Sequence, residues 1–129
     1  MTPELTALAL AGLLQMAQIA LYSVLANRQV PADYALSPRD EKRELTRAAG
    51  RAQRAMNNHF EGLILFTIAV VVVTLGAQTS HLTAACAWVY LAARILYVPA
   101  YLFGWVPWRS LIWAAGWLAT LVMLLAALL

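Results

Sequence analysis

Four apolar tracts fill most of this chain: about Leu5 to Val24, Phe60 to Ala77, Leu82 to Gly104 and Leu111 to Leu129. Each is close to the roughly 20 residues that a helix needs to cross the hydrocarbon core of a bilayer. Inside lipid every backbone N–H and C=O must find an internal partner, so tracts of this kind are restricted to helices. The composition agrees. Of 129 residues 63% are hydrophobic and 12% charged, whereas soluble domains carry about a quarter charged residues. The expected fold class is all-α: an integral membrane four-helix bundle of up-down topology. It forms one domain over residues 1–129, with spans of about 4–27, 39–77, 82–104 and 107–129 and a polar loop of about 28–38. A bundle this small has little interior of its own. A pocket for anything larger than an ion calls for a second copy of the chain, and the expectation is a homo-oligomer.

The basic residues set the orientation. Arg28, Arg39, Lys42, Arg43, Arg47, Arg51 and Arg54 fall in the first loop and the opening of the second helix, and Arg109 follows the third turn on the same side. The N-terminus, the "QTSH" turn (78–81) and the C-terminus carry no Lys or Arg. By the positive-inside rule both termini lie outside and the first and third loops lie in the cytoplasm. The opening "MTPELTALAL" carries Glu4 and no basic residue, unlike the positive start of a secretory signal, and is expected to be a retained span.

Local signals place the helix boundaries. Ser37 and Pro38 precede a charged, helix-favouring stretch, so the second helix is expected to start near Pro38 or Arg39 and to project from the membrane. Pro107 is expected to begin the fourth helix, and Pro99 to free the Ile95 carbonyl and kink the third. The single Cys86 excludes an intrachain disulfide and reads as a small packed hydrophobe within the third span. No His/Cys cluster has metal-ligand spacing, so no metal is expected.

The polar residues of the spans fall into two stripes. Arg51, Arg54, Asn58 and Glu61 are spaced by three, four and three, which puts all four on one helix face. Arg94, Tyr97 and Tyr101 repeat that pitch on the third helix. At 1.5 Å per residue Arg94 lies roughly 20 Å from the outer end of its helix, in the layer where Glu61, Arg109 and Ser110 also lie. A charge within a span costs on the order of 2.5–3.5 kcal/mol and normally faces protein. A pure ion pair of Glu61 with Arg94 would knit two helices and do nothing else. Here one acid meets four arginines, and the surplus positive charge points to an external anion, for which the planar guanidinium is suited. A ligand with more than one carboxylate and an amine fits. The tripeptide glutathione answers that description, as do other zwitterions.

Other residues have plainer readings. His59 points about 100° away from Asn58 and is expected at headgroup level. Gln15 and Gln18 are expected to be interhelical hydrogen-bond partners. Trp105 and Trp108 suit an interfacial aromatic belt, and Trp113 and Trp117 suit packing or lipid contact.

"RAQRAMNNHFEG" resembles the second-helix motif of the MAPEG proteins, the membrane-associated proteins in eicosanoid and glutathione metabolism. Their pattern Arg-x-x-Arg-Ala-x-x-Asn-x-x-Glu is met by Arg51, Arg54, Ala55, Asn58 and Glu61. "AARILYVPAY" is similar to their third-helix pattern through Arg94, Tyr97 and Tyr101, and "VPWRS" resembles the start of the fourth helix in prostaglandin E synthase relatives. The resemblance covers essentially the whole chain and suggests a bacterial-type member similar to microsomal glutathione transferase, placed in the bacterial inner membrane. It implies a homotrimer with glutathione as co-substrate, bound between neighbouring subunits and open to the cytoplasm. Arg54, Asn58, Glu61, Tyr97 and Tyr101 would bind the tripeptide, Arg51 and Arg94 would line or brace the site, and Arg28 would reach it from the adjacent subunit. Arg109 or Ser110 would stabilise the thiolate as the catalytic group. The function implied is conjugation or reduction of a hydrophobic electrophile or lipid hydroperoxide. Two features depart from the family pattern: Gly62 stands where eicosanoid-type members carry Tyr, and the gap from Tyr101 to Arg109 is one residue short.

Two alternatives belong to other classes. A non-catalytic relative would use the same cleft to bind lipid or a partner. A small four-helix multidrug transporter would need its key acid in the first span, and Leu5 to Val24 contains no charge. Nucleic-acid binding has no support beyond net positive charge.

Overall fold

The computed structural model describes residues 1–28 and 47–129. The described residues form helices α1 (Pro3–Asn27), α2 (Arg47–Leu75), α3 (His81–Leu102) and α4 (Trp108–Leu128). Each is long and apolar enough to cross a membrane. The loop of about 28–38 and the expected start of α2 near Pro38 fall largely or wholly outside the described residues, as do Arg39, Lys42 and Arg43.

Contacts between helices fix the topology. Gln18 of α1 meets His59 of α2, and Tyr22 meets Gln53, so α1 and α2 run antiparallel. On α2 and α3, Arg51 pairs with Leu102 and Asn58 with Arg94, again antiparallel. Glu4 and Thr83 meet near the starts of α1 and α3, so these two helices run parallel. The result is the up-down bundle expected from the spans. One end gathers the start of α2, the end of α3 and the start of α4, and is called the basic end below.

The helix ends follow from local chemistry. Thr2 caps α1 by accepting from the Leu5 N–H, and Pro3 stands at the first helical position, where its missing N–H costs nothing. Ser80 and Thr83 form a reciprocal capping box at the start of α3, so His81 is the first helical residue of the "QTSH" segment. α3 runs on through Pro99 to Leu102 and stops before Gly104, whose φ of +67° suits a residue without a Cβ. α4 starts one residue later than expected, at Trp108, with Pro107 as its N-cap.

Small residues let the helices approach closely. Ala7 and Ala11 of α1 and Ala69 of α2 are fully buried, beside Phe66, Val70, Val73, Ala87 and Met123. In lipid no hydrophobic effect draws helices together, so van der Waals contact at small residues and interhelical hydrogen bonds take over. Phe66 stacks on Tyr90 with ring centroids 3.9 Å apart. Cys86 is buried in this cluster, as its position in the third span implied.

A polar knot joins α1 to α2. Gln15 Nε2 donates to the Met56 carbonyl at 3.1 Å, and His59 Nδ1 lies 2.8 Å from both Gln15 Oε1 and Gln18 Nε2. The glutamines are interhelical partners, as their sequence setting suggested. His59, expected at headgroup level, is fully buried between the helices. The 100° step from Asn58 turns it toward α1, where the two glutamines offset the cost of burying an imidazole.

Candidate functional site

The two stripes meet at the basic end. Arg51 donates to the Leu102 carbonyl at 2.9 Å, and Arg54 Nε donates to the Tyr101 hydroxyl at 3.1 Å. One turn deeper, Arg94 donates to Asn58 Oδ1 at 2.9 Å. Arg94 is only 4% exposed and stacks over the Tyr97 ring at 4.5 Å. Two glycines make room for it. A Cβ at Gly62 would stand 3.9 Å from its guanidinium, and one at Gly116 would stand 3.9 Å from its Cδ.

Arg109 arrives from the first turn of α4 and lies over the Tyr101 ring at 4.8 Å, while Arg54 lies 5.8 Å from the same ring. Two guanidinium groups from different helices thus share one aromatic ring. Cation–π contacts hold such groups in place without neutralising them. The shorter Tyr101–Arg109 gap therefore leaves Arg109 in contact with the stripe. Below this layer a recess of about 400 Å³ is lined by Asn58, Tyr97, Arg109, Ser110, Trp113 and Ala114.

Glu61 differs from the rest. Arg94 turns to Asn58 and Arg54 to Tyr101, so the Glu61–Arg94 pair that would knit the helices does not form. Glu61, Arg51 and Arg54 are all exposed on the surface of the single chain, as is Ser110. Arg28, just past the end of α1, is exposed too, and no contact joins it to the stripes among the described residues.

The burial of Tyr90 and of Glu4 was not anticipated from the sequence. Tyr90 is 2% exposed and stands four residues before Arg94, so extending the stripe one turn up the helix would have found it. Glu4 is 1% exposed and opens the buried stripe of α1 that continues through Ala7, Ala11, Gln15 and Gln18. The same helical pitch carries that signal. Among the described residues no group of three or more His, Cys, Asp or Glu side chains is arranged to hold a metal ion.

The fold and the polar layer define a class: a multi-pass integral membrane protein whose four-helix bundle holds a cationic, aromatic-lined recess at one end. The MAPEG family model matches residues 4–129, and the chain belongs to that family. No curated protein and no solved structure matches it. Membership associates the chain in general terms with glutathione or eicosanoid metabolism, in a family that holds glutathione transferases and peroxidases together with non-catalytic members.

Proposed function

We propose that this protein is a glutathione-dependent transferase or peroxidase that acts on a hydrophobic electrophile, working as a homotrimer with three inter-subunit sites open to the cytoplasm. One observation carries the reading: Glu61, Arg51 and Arg54 are exposed on the single chain although α2 is a membrane helix. Charges left on a bare span are costly, and a second subunit together with a zwitterionic ligand removes that cost.

In this reading Arg54, Asn58, Tyr97 and Tyr101 hold the glutathione backbone and carboxylates, and Glu61 takes its amine. Arg51 and Arg94 brace the binding side chains, through Leu102 and Asn58 respectively. Arg28 reaches the ligand from the neighbouring subunit. A free thiol has a pKa near 8.5, and nearby cations lower it, which raises the thiolate fraction at neutral pH. Arg109, or the Ser110 hydroxyl beside it, performs that task. The electrophile, concentrated in the bilayer, then meets the sulfur between helices. In conjugation the sulfur forms a thioether as the electrophile's leaving group departs, and in peroxide reduction the O–O bond breaks to give the alcohol and water while the thiol and a second glutathione become the disulfide.

Titration calorimetry with glutathione on the purified protein tests this reading, paired with a turnover assay on a lipid-soluble electrophile. Binding that is lost in Arg54→Ala, with turnover in the wild type, is the expected result. Binding without turnover of any electrophile or hydroperoxide would leave a non-catalytic relative in its place. No binding at all would remove the proposal.

A further inference from the structure

At the end of the bundle opposite the basic end, a recess of about 320 Å³ lies between the starts of α1 and α3. Thr2 and Glu4 line it from one helix start, and Thr79, Ser80 and His81 from the other. Its volume is at the small end of ligand pockets, which run from roughly 300 to 1,000 Å³. α1 has 25 residues and is about 37 Å long at 1.5 Å per residue. The hydrocarbon core of a bilayer is about 30 Å thick, so the first turn of α1 and this recess stand at the level of lipid headgroups.

The recess holds both signs of charge. Glu4 is 1% exposed, and its Oε1 accepts from the Thr83 hydroxyl at 2.7 Å. Its Oε2 is enclosed and has no hydrogen-bond partner among the described residues. Burying a carboxylate oxygen without a donor is costly, and a ligand that brings a donor removes the cost. Beside Glu4, α3 begins. Its capping box satisfies the N–H groups of Ser80 and Thr83, and the Ala84 N–H donates to the Ser80 carbonyl. The N–H groups of His81 and Leu82 have no such partner among the described residues, and free N–H groups at a helix start attract anionic oxygens. The Thr2 and Ser80 side-chain oxygens already accept from backbone N–H groups, which leaves their hydroxyl protons to donate. The His81 imidazole adds a further N–H.

A lone anion would meet the Glu4 charge, and a lone cation would meet the positive ends of two helices. A group that carries an ammonium and an anion a few bonds apart satisfies both. Several donors spread over one helix start suit the tetrahedral oxygens of a phosphate. We propose that this recess is a binding site for a phosphoethanolamine group, with its primary ammonium on Glu4 Oε2 and its phosphate on the start of α3. A primary ammonium brings three N–H donors, and the trimethylated ammonium of choline brings none. Phosphatidylethanolamine in the surrounding bilayer and free phosphoethanolamine both carry this chemistry. The site shares no residue with the glutathione reading above and does not depend on it.

Native mass spectrometry of the full protein in detergent, titrated with short-chain phosphatidylethanolamine, phosphatidylcholine and phosphatidylglycerol, tests the inference. The wild type is expected to prefer phosphatidylethanolamine over each of the others by about tenfold or more. Glu4→Gln keeps an acceptor for Thr83 and puts an amide donor in place of Oε2. It is expected to bind phosphatidylethanolamine and phosphatidylcholine equally, and its lipid-free thermal midpoint checks that it folds. His81→Ala, at an exposed position, is expected to weaken both of these lipids alike by about threefold or more, for loss of one hydrogen bond to a charged group. Displacement of the bound lipid by free phosphoethanolamine at matching concentration supports the site and names the soluble compound as a ligand. Displacement by phosphatidylethanolamine alone supports it as a headgroup site. Equal affinity of the wild type for phosphatidylethanolamine and phosphatidylcholine overturns the inference, as does tighter binding of phosphatidylglycerol. An undiminished preference in Glu4→Gln overturns it too.

Discussion

Glu4, in the first turn of α1, is 1% exposed, and its Oε1 accepts a hydrogen bond from Thr83 at 2.7 Å. Glu61, part-way along α2, is exposed on the same chain and makes no ion pair among the described residues. Both carboxylates belong to membrane helices, and each is costly there. One Glu4 oxygen is met from within the chain, while Oε2 is enclosed without a hydrogen-bond partner among the described residues. It lies at the starts of α1 and α3, where the dipoles of two helix N-termini favour negative charge, and a capping-box threonine supplies the donor. Glu61 lies far from any helix start, among arginines committed to tyrosine, asparagine and backbone. The comparison separates two settings of one side chain in a membrane: an acid whose Oε1 accepts from a neighbouring helix ties helices together, and an acid turned outward makes no such contact among the described residues.

Substitutions can break or sharpen this contrast. The largest effect is expected in the shared core. Phe66→Ala removes the ring stacked on Tyr90 and is expected to cost about 3–5 kcal/mol of stability, read as a lowered thermal midpoint in detergent. At the outward-facing stripe, Arg54→Ala is expected to weaken glutathione binding by about tenfold or more, about 1.4 kcal/mol, with the thermal midpoint of the ligand-free protein hardly moved. If the midpoint falls and binding holds, the stripe is structural. Glu4→Ala is expected to do the opposite. It leaves the Thr83 hydroxyl without its carboxylate, lowers stability by about 1–3 kcal/mol and leaves calorimetric glutathione affinity unchanged. The smallest effect belongs to Glu4→Gln, whose amide oxygen still accepts from Thr83 and which is expected to change stability by less than about 1 kcal/mol.

Much of this arrangement is legible in the sequence. Apolar tract length gave the four spans because lipid allows no other backbone solution. The three-and-four spacing of Arg51, Arg54, Asn58 and Glu61 gave a face because helical pitch is fixed. Pairing across helices was harder to read. Nothing in "NNHFEG" says that Arg94 chooses Asn58 over Glu61, since both stand on the same stripe one turn apart. That choice depends on the rotation of α2 and on the room made by Gly62 and Gly116. The burial of His59 is hidden from the sequence for a related reason: it depends on two glutamines 41 and 44 residues away on α1. Tyr90 and Glu4 were within reach of the same periodicity, but each borders an apolar run that hides it.

The central claim is that Glu61 holds the amine of a zwitterion whose carboxylates the arginines capture. Calorimetry with glutathione and with N-acetylglutathione, which lacks the free ammonium, tests it on wild type and Glu61→Gln. The wild type is expected to prefer glutathione by about tenfold or more, about 1.4 kcal/mol, and Glu61→Gln to bind the two with equal, weakened affinity. An undiminished preference in Glu61→Gln would contradict the account.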